Sequence, residues 1–242
     1  MKKITTILMA LIAVLFISVS CDKEEEVVEN KNVMIMYDDS TDNVNTVSLK
    51  VALEAAGFEV TFSDENEANW DNTNPSLDKF FAVIHFNGTT YDNAMSEAAQ
   101  LALVDFVKNK GGFYVQAEWD GYEIEEGRMT AMQDLVLIDR GSASEGNLTF
   151  TVVTAQASHA VLKGIPASYT MNSAVTNGAA HVFAESPSVV LVTENTRDAV
   201  VVREFGKGKI LGFNHAGNYE GAAHWSNSNI QKMIINFLNW TE

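Results

Sequence analysis

The chain predicts an α/β domain with a mostly parallel sheet and an antiparallel C-terminal edge, on three observations. Val33 to Tyr37 is an unbroken apolar run, as expected of a strand covered on both faces. Helix-spaced valines and a second strand follow, a βαβ opening that calls for parallel strands and a right-handed crossover. The second half turns to closely spaced strands, two of them joined by Gly206-Lys207-Gly208 as a hairpin turn.

The elements follow in order. Asp38 to Asn43 is a polar loop. Val44, Val47, Val51 and Ala55 recur at helical spacing, and Gly57 closes that helix as its C-cap. Phe58 to Phe62 is the next strand. Residues 63–79 are polar, hold Pro75 and read as a loop. Phe80 to Phe86 is the third strand and Asn87-Gly88-Thr89-Thr90 a turn. Ala99, Leu103, Phe106 and Val107 line one face of a helix that stops at Gly111-Gly112. Phe113 to Ala117 is the fourth strand, and Glu118 to Gly127 a loop rich in acids and aromatics. Leu148 to Val153, Ser188 to Thr193, Ala199 to Phe205 and Lys209 to Phe213 read as strands. Ile230, Met233, Ile234, Phe237 and Leu238 form an amphipathic closing helix.

Composition narrows the function. The 242 residues suffice for one domain with a real core. With 32 acidic against 16 basic residues the net charge is -16, which argues against a nucleic-acid partner. The single cysteine excludes an intrachain disulfide and a multi-cysteine zinc site.

That cysteine sits in an informative place. Lys2 and Lys3 precede an apolar stretch from Ile7 to Ile17, too short to span a bilayer, which needs about 20 residues. Ser18-Val19-Ser20-Cys21 then resembles the lipobox of bacterial lipoproteins, with Ser18 where leucine is usual. The resemblance implies a signal peptide over 1–20 and a lipid on Cys21. Asp22-Lys23-Glu24-Glu25-Glu26 resembles the signal that sends Bacteroidota lipoproteins to the outer face of the outer membrane. Residues 21–31 are then an acidic tether and 32–242 the folded domain. Loss of the leader leaves 14 basic and 32 acidic residues, a net charge of -18.

Three segments carry a further resemblance. Leu101 to Glu118, LALVDFVKNKGGFYVQAE, resembles the helix, double glycine and strand that lead to the nucleophile of class I glutamine amidotransferase-like domains. Ser158 to Pro166, SHAVLKGIP, and the ending from Val200 to Trp240 are similar to the ThuA-like, trehalose-utilisation branch of that superfamily. The resemblance covers about 33–242 and implies a flavodoxin-like three-layer sandwich. A working amidotransferase places a cysteine where this chain has Glu118, and Cys21 lies in the leader. Glutamine amidotransfer and cysteine-peptidase chemistry are therefore not expected. His215 matches the family's late histidine.

Ligands of open α/β sheets bind beyond the carboxyl ends of the strands, here loops 38–43, 86–92, 118–127 and 214–225. Glu118 reads as a general acid or base, as a metal ligand, or as a glutamate bonded to local backbone. His215 reads as its proton-transfer partner or as a buried histidine of the fold. No cofactor is expected. A divalent metal on His85, Glu118 and His215 is the one candidate. Trp119, Tyr122, Tyr219 and Trp225 offer faces for sugar rings, Asp120 and Glu123 accept hydroxyl protons, and His224 lies in the same loop. The aromatics otherwise cover the rim of the core. Glu123-Ile124-Glu125-Glu126 lacks calcium-loop spacing and reads as a solvated loop or helix start. Ser40, in Asp39-Ser40-Thr41, resembles a Bacteroidota O-glycosylation acceptor. The expectation is an outward-facing outer-membrane lipoprotein that binds a carbohydrate or similar polar ligand. The alternatives are a sugar-processing enzyme with a Glu118/His215 pair, and a structural partner in an envelope complex.

Overall fold

Unbroken burial along the first strand, with side chains alternating between two cores, sets the architecture. In β1 (Asn32–Met36), Val33 and Ile35 point into one core and Met34 and Met36 into another, so the sheet is covered on both faces. The structure, a computed structural model, describes residues 30–116, 119–138, 144–176, 188–215, 217 and 225–241. Within them, β1 is followed by α1 (Val44–Ala55), β2 (Glu59–Phe62), β3 (Ala82–His85), α2 (Glu97–Lys108), β4 (Phe113–Gln116) and α3 (Trp119–Glu125). Then come β5 (Ser144–Val152), β6 (Ser168–Thr176), β7 (Ser188–Glu194), β8 (Arg197–Phe205), β9 (Gly208–Phe213) and α4 (Ser228–Leu238). Among the described residues no helix is long and apolar enough to cross a membrane.

All nine strands join one sheet in the order β2-β1-β3-β4-β9-β8-β7-β5-β6. β2, β1, β3, β4 and β9 are parallel neighbours; β9-β8, β8-β7, β7-β5 and β5-β6 are antiparallel. The sheet is therefore half antiparallel rather than mostly parallel. The expectation fell short at β6, whose polar Ser, Thr and Asn residues hide the inward-facing Tyr169 and Met171. It also fell short at β5, which starts at Ser144 and bends through a register shift between Gly146 and Leu148.

α1 and α4 cover one face, through Leu49, Leu53, Ile230, Met233, Ile234 and Phe237. α2 and the segment 130–138 cover the other, through Leu103, Phe106, Met132 and Leu135. α1 corrects the sequence reading. Val44, Val47 and Val51 are 70%, 42% and 59% exposed, while Asn45, Thr46, Leu49 and Leu53 are buried. The helical period was right and the face was wrong. Two inward leucines suffice because polar groups complete that face: the Asn45 carboxamide accepts from the Ser226 amide, and Gln231 donates to the Ser48 hydroxyl.

The β8-β9 hairpin turns at Gly206 and Lys207 and docks on the end of α2, where the Lys207 amide donates to the Lys108 carbonyl at 2.9 Å. Gly206 has φ +63, and a Cβ there would lie 2.1 Å from that carbonyl oxygen, so the position requires glycine.

Candidate functional site

The carboxyl ends of the parallel strands deliver polar residues to one edge. Asp38 follows β1, His85 ends β3, Tyr114 lies in β4, and Asp120 stands on the first turn of α3. The segment after β2 adds Glu67. It runs on alongside the end of β1, with the Ser63 amide donating to Ile35 and the Glu67 amide to Tyr37, and the buried Trp70 anchors it by donating from Nε1 to the Pro75 carbonyl. Asp38, Glu67, His85, Tyr114 and Asp120 are all fully buried.

These side chains form a single chain of hydrogen bonds. His85 Nε2 lies 3.2 Å from Glu67 Oε2, and its Nδ1 lies 3.1 Å from Asp120 Oδ2 and 2.6 Å from the Tyr114 hydroxyl. Tyr114 donates to the same Asp120 oxygen at 3.1 Å. Glu67 Oε1 meets the Thr90 hydroxyl at 2.7 Å, and Thr90 Oγ1 also bonds Asp38. Asp38 accepts from the Thr89 and Thr90 amides at 2.6 and 2.7 Å.

The proton count of this chain can be derived. The Thr90 hydroxyl has one proton and two carboxyl neighbours, so one carboxyl must donate to it. Asp38 already accepts two backbone N–H groups, which suits a carboxylate; Glu67 is then the protonated partner. Burial raises Glu67, against the pull of bonds from His85 and Thr90. Burial opposes charge on His85, but the charge and hydrogen bond of Asp120, with the bond accepted by Glu67, outweigh it and lift the ring to about 10. Burial and the neighbouring carboxylates push the Tyr114 hydroxyl well above its ordinary range. The network thus holds a histidinium between Asp120 and a neutral Glu67, an arrangement able to store a proton and pass it along.

Above it lies an aromatic rim. Tyr91, Trp119 and Tyr122 pack mutually, with ring centroids 5.1, 5.4 and 5.3 Å apart. Tyr91 is 39% exposed, and Trp119 and Tyr122 are half-buried. The Arg128 guanidinium sits 5.2 Å over Tyr122, donates to the Tyr91 carbonyl and pairs with Glu123 at 2.5 Å. Burial lifts Glu123 to about 7, against the pull of Arg128.

The sequence-expected residues divide accordingly. Trp119, Asp120, Tyr122 and Glu123 come together, on a helix rather than the expected loop, and Glu123 is buried rather than solvated. Trp225 is not a ligand face: it is fully buried against Phe86 and Phe213 at 4.6 and 5.5 Å. Its indole donates to Nδ1 of His215 at 3.3 Å, and His215 is itself buried beside Phe150 and Phe213. This unit belongs to the core of the opposite sheet face. Both ring nitrogens of His85 are engaged, by Glu67, Asp120 and Tyr114. Among the described residues no group of three His, Cys, Asp or Glu could hold a metal ion. Ser40 is half-buried, and its hydroxyl accepts from the Asp42 amide. Cys21, Glu118, Tyr219 and His224 lie outside the described residues. Sequence reasoning did not single out Asp38, Glu67, Thr90, Tyr91, Tyr114 or Arg128. Tyr114 carried a signal, because a tyrosine in a doubly covered strand needs a partner for its hydroxyl.

No family model matches the chain, and no curated protein matches it. Solved structures do. A cytoplasmic protein of Salmonella typhimurium LT2 is 12% identical with a TM-score of 0.61, covering 86% of this chain and 98% of its own. A protein named as ThuA-like from Parabacteroides merdae is 15% identical with a TM-score of 0.59, covering 88% and 90%. A β-galactosidase from Rahnella sp. R3 is 17% identical with a TM-score of 0.54, but the likeness covers 86% of this chain and only 31% of the enzyme. The chain has the fold of the ThuA-like proteins.

Proposed function

We propose that this is a lipid-anchored ThuA-like protein that binds a carbohydrate or similar polar ligand at the carboxyl edge of its parallel strands. The observation that carries the reading is the rim of Tyr91, Trp119 and Tyr122, three packed rings beside buried carboxyl groups. Sugar C–H faces stack on such rings while acids and amides take the hydroxyls. The order β2-β1-β3-β4-β9 supports the flavodoxin-like part of the reading, since it reverses between β1 and β3, where doubly wound sheets bind ligands. The acidic surroundings favour a neutral ligand over an anion.

Titration of the mature chain, carrying Cys21→Ser for solubility, with glucose, galactose, myo-inositol and cellobiose tests this by tryptophan fluorescence. Trp119→Ala is expected to weaken binding by about tenfold or more, a stacked ring contributing on the order of 1–2 kcal/mol. Absence of binding to all four, or binding indifferent to Trp119→Ala, would refute it.

The anchor rests on residues 1–26 of this chain. Cys21→Ser should move the protein from the membrane fraction to the soluble fraction and abolish labelling by a fatty-acid probe. Labelling that survives the change would overturn the anchor.

The buried His85 network favours a second reading, a sugar-processing enzyme whose proton carrier is His85 with Glu67. Product formation from a glycoside that stops in His85→Gln, with binding retained, would establish it.

A further inference from the structure

We infer that the cleft between residues 66–69 and 92–94 is a subsite that takes the ammonium group of an amino sugar. The inference rests on the reading of a polar-ligand site at this edge, and it names the chemistry that one part of that edge selects.

Asn66, Ala68, Asn69, Asp92, Asn93 and Ala94 line a cavity of about 400 Å³. Small-molecule sites run from roughly 300 to 1,000 Å³, so a monosaccharide fits. One wall is the segment after β2 and the other the segment after β3. Both are braced. Asn66 closes a turn, its carbonyl accepting from the Asn69 and Trp70 amides, and Trp70 is buried. The Asn93 amide donates to the Thr90 carbonyl at 2.8 Å. The Thr90 hydroxyl meets Glu67 at 2.7 Å and so joins the two walls. The cleft also adjoins the aromatic rim, because Tyr91 directly precedes Asp92.

Bonds within each wall decide which atoms remain for a ligand. Asn66 Oδ1 accepts from the Asn69 amide at 3.1 Å and from Asn69 Nδ2 at 2.9 Å. The backbone donor fixes which atom of the Asn66 carboxamide is the oxygen, and hence which atom of Asn69 is the nitrogen. Asn93 Nδ2 donates to Asp92 Oδ1 at 3.0 Å, an orientation that a carboxylate acceptor dictates. These bonds leave one donor, Asn66 Nδ2, and three acceptors: Asn69 Oδ1, Asn93 Oδ1 and Asp92 Oδ2.

A lining with more acceptors than donors favours a ligand that donates. An ammonium offers three N–H donors and no acceptor. The charge around the cleft makes the same choice. Among the described residues no cation pairs with Asp92. The cations of the neighbouring site are committed, His85 to Asp120 and Arg128 to Glu123. Residues 63–78 and 86–107 contain no Lys or Arg, and Asp64 and Glu65 are exposed on the first wall's segment. The field there is negative and attracts a cation. The cavity is far larger than a bare ion, so the ammonium arrives on a larger body. Hydroxyl groups on that body both donate and accept, which suits the asparagines.

Calorimetric titration of the mature Cys21→Ser chain with glucosamine, glucose and N-acetylglucosamine at pH 6 tests this, since only glucosamine carries an ammonium. Glucosamine is expected to bind about tenfold or more tighter than either neutral sugar at low salt, as a charge-assisted bond allows. Salt at about 0.5 M should narrow that preference. Asp92→Asn keeps the shape of the cleft and removes its charge. It should bring glucosamine to within about twofold of glucose, and leave glucose affinity and the melting temperature unchanged. Equal affinity of the parent for the three sugars, or a preference that survives Asp92→Asn, would overturn the inference. Trp119→Ala, run in parallel, separates the subsite from the rim. If it weakens all three sugars in a parent without a preference, the rim stands and the subsite falls. If it changes no affinity while the Asp92-dependent preference persists, the subsite stands and the rim falls. If the parent binds none of the three sugars, both fall.

Discussion

Replacing His85 by leucine removes the cation between Asp120 and Glu67 while keeping the site filled. The consequence can be worked from the geometry. His85 is fully buried, 3.1 Å from Asp120 and 3.2 Å from Glu67. Glu67 carries a proton and keeps its bond to Thr90, so its loss is one donor, about 1 kcal/mol and independent of pH. Asp120 loses its counter-charge and keeps only the Tyr114 hydroxyl. Removing one partner of a buried ion pair costs about 3–5 kcal/mol, so the total is about 4–6 kcal/mol. The folded value of His85 is raised to about 10, so its contribution is complete below 6.5 and is lost as pH rises through 10; the penalty of the substitution should shrink over that window. Urea unfolding of both proteins at pH 6 and pH 10, followed by tryptophan fluorescence, measures the difference. A penalty that is equal at the two pH values, or below about 1 kcal/mol at pH 6, would refute the charged network.

Three further outcomes follow from other parts of the fold. Glu123 is raised to about 7, so its contribution to stability is present below about 4.5 and lost as pH climbs through 7; Glu123→Gln should flatten the melting temperature over that window. Gly206→Ala meets both a positive φ and the Lys108 carbonyl, and should cost about 2–4 kcal/mol in chemical unfolding, with the loss centred on the β8-β9 turn. On α1, the double change Val47→Lys, Val51→Lys should leave stability within about 0.5 kcal/mol, whereas Leu49→Ala should cost about 2–5 kcal/mol. The reverse ranking would restore the valine face as the buried one.

The α1 case shows what a sequence reveals about a helix and what it conceals. A spacing of three and four residues reports the period, which both the valine stripe and the Leu49–Leu53 stripe satisfy. Which stripe turns inward depends on partners far along the chain: Asn45 meets Ser226, and Ser48 meets Gln231. Polar residues on the buried face reverse the inference from hydrophobicity wherever the facing element supplies donors and acceptors. The same reasoning applies to β6, where Tyr169 and Met171 are buried in a segment otherwise rich in polar residues. The continuous strands β1, β3 and β4 were legible because burial on both faces needs no partner-specific information.

The site was legible in the opposite proportion. The loops that carry it were visible from topology, since strand ends collect ligand residues in any open α/β sheet. Its interior was not, because the chain of bonds runs through residues 38, 67, 85, 90, 114 and 120, which no spacing rule links. Glu67 in particular lies in a polar segment without periodicity and reaches the site because Trp70 and two amide bonds, to Ile35 and Tyr37, hold that segment alongside the end of β1. Charge composition misleads here as well. An excess of acid suggests a solvated surface, yet Asp38, Glu67, Asp120, Glu123 and Glu194 are fully buried. Burying carboxyl groups is tolerable only with nearby donors, protons or cations, and His85, Thr90, Tyr114 and Arg128 supply them at this edge. Those four residues therefore identify the site better than any acid in it, and they are the residues whose replacement should move both its proton affinity and its grip on a ligand.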